Sequence, residues 1–186
     1  PGAPSAPLDL RRHLADLYQR YRVDRLVACS PRMLRVAAQM EIARQTKAAI
    51  HLSGEPGTGK EHIARLIHQG QANPAQRFVP IRCGSATHFE LNRTFNHLAE
   101  LAESQLPATV FLDRVDLLPG DLQPRLLSLM ARGSIRWISS SLTGLEDLPD
   151  EQFLPELRSK LTLLCISIPP LRERSADLVL LSQQIL

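Results

Sequence analysis

Apolar positions along this chain follow two spacings. Short apolar runs read as buried strands at Ala48-Ala49-Ile50-His51-Leu52, Phe78 to Cys83, Ala108 to Asp113, Ser134 to Ser141 and Leu161 to Ile168. Between them the pattern turns helical. Ser30-Pro31 supplies an N-cap and a first-turn proline for a helix running to about Gln45. Lys60 to His68 carries Ile63, Ala64, Leu66 and Ile67 on helical spacing, and His88 to Ser104 and Asp121 to Ala131 read the same way. Leu10, Leu14, Leu17 and Tyr21 make one stripe of an amphipathic helix over Leu8 to Tyr21, behind a linker-like Pro1 to Pro7. Another helix begins near Ser175, shortly before the last residue, Leu186. Helices alternating with buried strands predict an α/β fold with a mostly parallel sheet covered on both faces. The predicted divisions are 1–24, linker and helix; 25–174, the α/β core; and 175–186, the start of a helical unit.

Composition narrows this picture. A chain of 186 residues, 44% of them apolar, allows one α/β domain with a sizeable core. The net charge of +3 is spread along the chain rather than gathered in a basic arm. That argues against this segment reading nucleic acid itself, although a pI of about 9.1 permits loose contacts. No apolar run is long enough to span a bilayer, no leader opens the chain, and a first residue other than Met predicts an excised piece. Cys29, Cys83 and Cys165 are far apart and lack metal-ligand spacing, which predicts buried reduced thiols in a cytosolic protein. The histidines form no metal motif either, and His51 reads as a core-edge residue.

The chemistry concentrates in Gly54-Glu55-Pro56-Gly57-Thr58-Gly59-Lys60-Glu61, the Gly-x4-Gly-Lys spacing of a phosphate-binding P-loop. Glycines let the backbone aim its N–H groups at phosphate oxygens, and Lys60 adds a positive charge for the β and γ phosphates. A strand before it and a helix after it are the context such a loop needs. Glu61 stands where a Ser or Thr hydroxyl usually ligates Mg²⁺. The bland alternative is a glycine-rich turn that binds nothing. Ligands in parallel α/β folds bind at the carboxyl ends of strands, where Gly54 and Asp113 would both lie.

The octet, with Glu last, resembles the Walker A motif of the AAA+ domain in bacterial sigma-54-dependent transcription activators. Other segments match in the same order: Leu26 to Met33, Ala64-Arg65-Leu66-Ile67-His68, Phe78 to Cys83, the Walker B-like Val110-Phe111-Leu112-Asp113, Leu118 to Leu127, and Pro169-Pro170-Leu171-Arg172-Glu173-Arg174 with Asp177. The resemblance covers about residues 25 to 186. It implies a three-layer P-loop NTPase fold of AAA+ type, with its C-terminal helical lid truncated. It implies ATP or ADP held by Gly54, Glu55, Pro56, Gly57, Thr58, Gly59, Lys60, Glu61 and Asp113, with Mg²⁺ at Asp113. It further implies a cytoplasmic regulator that associates with itself, engages the RNA polymerase machinery and contacts DNA through a domain outside this chain. In the family a helix such as Leu8 to Tyr21 joins an upstream sensory domain to the ATPase, and a helix that simply packs on this domain is the alternative. Ala28 replaces a family Gly beside the adenine.

Departures from the family pattern bear on activity. The Walker B strand is followed by Arg114 in place of a Glu, and a guanidinium has no lone pair to accept a proton from the attacking water. Asp116, two residues on, is the alternative base. The family's Gly-Ala-Phe-Thr-Gly-Ala loop, which touches sigma-54, has no counterpart between Cys83 and Ala108. Leu142 replaces the polar sensor at the end of its strand. Leu154 and Lys160 replace two arginines that reach a neighbour's nucleotide, with Arg158 the nearby alternative. No catalytic residue is assigned. The reading is an AAA+ domain that binds ATP or ADP with impaired or absent hydrolysis and acts through nucleotide-dependent shape or self-association. Two others stay open: an active ATPase with an unfamiliar base, and an interaction scaffold that has stopped binding nucleotide.

Overall fold

The computed structural model describes residues 26–70, 77–104 and 107–185, so the linker and the helix read over Leu8 to Tyr21 lie outside the described residues. Five strands, β1 (Ile50–Ser53), β2 (Arg77–Arg82), β3 (Ala108–Asp113), β4 (Ile135–Ser141) and β5 (Leu164–Ser167), form one sheet in the order β2-β3-β4-β1-β5. Every neighbouring pair is parallel. The helices are α1 (Pro31–Gln45), α2 (Lys60–Gln69), α3 (His88–Glu103), α4 (Gln123–Met130), α5 (Pro155–Leu161) and α6 (Ser175–Ile185).

Strand alternation divides the core in two. Val110 and Leu112 of β3 and Ile135 and Trp137 of β4 pack with Leu91, Phe95 and Leu98 of α3, Leu126 of α4 and Leu157 of α5. Phe111, Ile138, Ile50, Leu52 and Ile166 face the other way, onto Met33, Val36 and Met40 of α1 and Ile63, Ala64 and Ile67 of α2. Because successive strand residues point to opposite faces, this split gives three layers, helices–sheet–helices. Pro80 is tolerated in β2 because that strand lies at the sheet's edge, where its missing N–H breaks no second ladder.

Local chemistry sets the helix ends. Ser30 Oγ accepts the Met33 N–H at 3.3 Å, and Pro31 occupies the first turn of α1. Thr87 and Glu90 form a reciprocal capping box at α3, with Thr87 N–H donating to Glu90 Oε2 at 2.8 Å. Asp177, fully buried at the start of α6, accepts from Cys29 N–H at 2.5 Å and from Ser30 N–H and Oγ at 2.8 Å each. That carboxylate ties α6 to the start of α1.

Four expectations need correction. The stretch read as strand from Leu161 begins at Leu164, because Leu161 is a buried residue closing α5 and Thr162 caps it, donating Oγ1 to Arg158 O at 2.9 Å. Asp121 belongs to a 3-10 turn, Gly120–Leu122, that precedes α4. Only Cys83 is a buried thiol: Cys29 is half-buried, and Cys165 is exposed on edge strand β5, where Ile166 and the half-buried Leu164 face the core instead. Finally, His51 is not at the core edge but fully buried.

Candidate functional site

The order β3-β4-β1 brings three strand ends together: Asp113, Leu142 just past β4, and the Gly54–Glu61 loop after β1. They enclose a cleft of about 360 Å³ lined by Pro56, Gly57, Gly59, Lys60, Glu61, Asp113, Arg114 and Leu142. Carboxyl ends of parallel strands beside a change in strand order are the usual ligand position in such sheets.

The loop is built for close approach. A Cβ on Gly54 would stand 2.8 Å from Ile168 O, so only glycine fits there. Gly59 caps α2 with φ of 93°, a left-handed conformation that costs glycine nothing. The first bond of α2 is Ile63 N–H to Gly59 O at 3.0 Å, and the amides ahead of it project from the helix N-terminus. A Cβ on Gly57 or Gly59 would meet nothing within 4 Å, so space stands open over the loop. Exposed amides, a helix N-terminus and this space fit a polyphosphate.

Lys60 is 8% exposed, and its Nζ donates to Gly54 O at 2.6 Å and Glu55 O at 2.9 Å. Burial holds its pKa below the usual lysine value; Asp113 and Asp116 pull it up, while Arg114 pushes it down. Thr58 Oγ1 donates to Glu55 O at 2.8 Å. Glu61 faces away in part, paired with Arg65 Nη2 at 2.7 Å.

At the far wall Ser140 organises the end of β3. Its Oγ donates to Asp113 Oδ1 at 2.6 Å and accepts Arg114 N–H at 3.2 Å. Arg114 takes a left-handed backbone, φ 57°, and forks onto Asp116: Nε lies 3.1 and 3.2 Å from the two carboxylate oxygens and Nη2 lies 2.9 Å from Oδ2. The alternative base therefore spends its carboxylate on Arg114. Leu142 presents an apolar side chain to the cleft where the family pattern has a polar sensor.

The positions read as neighbour-reaching groups sit away from this cleft's lining. Leu154 packs against the first core and donates its N–H to Gln123 Oε1 at 2.7 Å. Lys160 is exposed. Arg158 is held at home, bonding Asp150 Oδ1 at 2.9 Å and Leu148 O at 2.7 Å.

Sequence reasoning missed three features. Arg172 and Arg174, quoted above only as part of a signature, both grip the loop: Arg172 forks onto Glu55 at 2.5 and 2.7 Å, and Arg174 Nη2 donates to Thr58 O at 3.3 Å. Ser140 had no assigned role, and the carboxylate it binds lies on another strand. The third is a polar cluster behind the loop. His51 Nδ1 is 2.8 Å from Ser139 Oγ and Nε2 is 2.8 Å from Ser141 Oγ, while Ser141 Oγ donates to Thr143 O. That last bond leaves Ser141 to accept from Nε2–H, so Nδ1 accepts from Ser139. Burial lowers the His51 pKa from 6.5 to about 4, keeping the ring neutral. The signal available was three consecutive serines in an apolar strand beside a strand histidine.

A family profile for the sigma-54 interaction domain matches residues 27–171. Among curated relatives, the response regulator protein PilR of Pseudomonas aeruginosa is 29% identical, over 88% of this chain and 42% of its own length. The alginate biosynthesis transcriptional regulatory protein AlgB of Pseudomonas putida is 32% identical, over 88% and 42%. The chain thus spans less than half the length of these relatives. Among solved structures, NtrX of Brucella abortus in complex with ATP superposes with a TM-score of 0.70 at 25% identity, over 91% of this chain and 44% of that one. The architecture is that of the AAA+ P-loop NTPases.

Proposed function

The chain belongs to the sigma-54 interaction domain family of bacterial transcription regulators, and from that premise we propose that it binds ATP or ADP and hydrolyses it poorly or not at all. One observation carries the reading: a phosphate-fitting loop with Lys60 faces Asp113 across the cleft, while the adjacent base position holds Arg114 with Asp116 locked in its fork. Gly54, Glu55, Pro56, Gly57, Thr58, Gly59, Lys60 and Glu61 would form the phosphate seat, with backbone N–H groups from the residues after Pro56 and the Lys60 ammonium as donors, while Pro56, which has no N–H, shapes the turn. Asp113 would hold Mg²⁺, with phosphate oxygens and water completing the oxygen ligands that this ion prefers. Bound there, Mg²⁺ would neutralise charge on the β and γ phosphates.

Catalysis is where the residues fall short. Losing a positioned base typically removes about 10²–10⁴ in rate. A missing in-trans arginine removes about 10³–10⁵ in phosphoryl transfer. Arg114, Leu142, Leu154 and Lys160 stand at the positions concerned, and the fork to Arg114 argues against Asp116 as a substitute base. The reading extends to a cytoplasmic regulator acting through nucleotide-dependent shape or self-association, with α6 opening a helical lid, DNA contacted by another domain, and the sigma-54 polymerase machinery as the partner class. Melting temperature measured against millimolar ATP and ADP tests the binding: a nucleotide-dependent rise is expected, and its absence would favour the scaffold reading.

A further inference from the structure

Two cations line one cleft. Lys60 projects from the loop after β1 and Arg114 from the end of β3, and burial first, then the Arg114 guanidinium, disfavours the Lys60 charge against the pull of Asp113 and Asp116. A polyanion between them would relieve that repulsion. β4 separates β1 from β3, so at about 4.8 Å per strand the two strand ends stand about 10 Å apart. The terminal phosphate of a chain seated on the loop beside Lys60 is the one extended toward β3, where the Arg114 side chain lines the same cleft.

The guanidinium has donors left for it. Its Nε–Nη2 edge lies on Asp116, while Nη1 makes no hydrogen bond among the described residues. Its backbone is fixed from below by Ser140, and the side chain is about a third exposed, 31%, rather than extended into solvent. A fork already seated on one carboxylate loses little freedom when its other edge takes a phosphate oxygen.

We infer that Arg114 binds the terminal phosphate of a nucleoside triphosphate from within the same chain, and so sets a preference for triphosphate over diphosphate. This rests on the nucleotide-binding reading above. The residue that removes the base thereby holds the uncleaved ligand, in a cleft whose neighbour-derived arginines are absent.

The test is calorimetric titration of the protein with ADP and with a non-hydrolysable ATP analogue, each with Mg²⁺, for wild type, Arg114→Gln, Arg114→Lys and Asp116→Asn. Wild type should bind the triphosphate about tenfold or more tighter than ADP, as expected for a charge-assisted contact. Arg114→Gln should lower the ratio by about fivefold or more while ADP affinity stays within about threefold. Arg114→Lys, which keeps the charge, should retain part of the preference, and Asp116→Asn, which unseats the fork, should lower it without abolishing it. A ratio unchanged in Arg114→Gln, or equal losses for both nucleotides, would overturn the inference and leave the nucleotide reading standing. If wild type binds neither ligand, both fall. Should Arg114→Gln not fold, a ratio undiminished in both Arg114→Lys and Asp116→Asn would count against the inference by itself.

Discussion

Lys60 and His51 show how differently two buried polar residues can be used. Lys60 Nζ rests on two loop carbonyls, ready to exchange them for phosphate oxygens. Lys60→Ala should weaken ATP and ADP binding by about 1.5–3 kcal/mol, the range for a hydrogen bond to a charged group, measurable by titration. His51 has no exchange to make. Its pKa falls from 6.5 to about 4 through burial, so the unfolded chain takes up a proton in a window where the folded one does not. Stability is therefore full above pH 6.5, declines as pH falls toward 4, and loses nothing more from this group below that. The loss reaches at most about 3 kcal/mol at 1.36 kcal/mol per unit. Urea unfolding at several pH values should show it, and His51→Gln should flatten it. Lys60 was legible in the sequence because glycine spacing announces a P-loop. His51 was not, because its role depends on which strand lies beside β1, and a cross-sheet neighbour leaves no local spacing.

At the scale of elements, α3 is the informative piece. It runs without interruption from His88 to Glu103 behind its capping box, with Leu91, Phe95 and Leu98 on the core. An amphipathic helix so capped has no inserted loop to move. We expect no nucleotide-dependent open complex when the protein is mixed with sigma-54 holoenzyme and promoter DNA; a transcription assay that detects one would require another contact, starting with the exposed Phe89. Most strands and helices were legible from apolar periodicity. The misplaced boundaries were those decided by short-range bonding: the Thr162 cap that separates α5 from β5, and the 3-10 turn ahead of α4, where Pro124 has no N–H to extend a helix backwards.

For the molecule as a whole, the strand order converts distant sequence into one cleft. Residues 54–61 and 113–114 meet because β4 inserts beside β1, a placement that the apolar runs did not specify and the family resemblance implied. The segment after β5 closes the arrangement: Arg172 and Arg174 hold the phosphate loop while Asp177 holds the start of α1. Removing that carboxylate leaves the buried Ser30 and half-buried Cys29 N–H groups without it, so Asp177→Ala should destabilise the fold by about 2–4 kcal/mol. Chemical denaturation would measure it. If nucleotide occupies the cleft as proposed, these contacts join its loop to α6.

On the proposed reading this domain holds ATP without consuming it. Its most direct test is to incubate the protein with γ-labelled ATP and Mg²⁺, trap the complex on a filter over minutes to hours, and identify the retained nucleotide. Retained intact ATP, with phosphate release below about 0.1 s⁻¹, under the ordinary enzyme range of 1–10³ s⁻¹, is the expected result. Retained ADP with continuing phosphate release above that rate, or no nucleotide retained at all, would contradict the account.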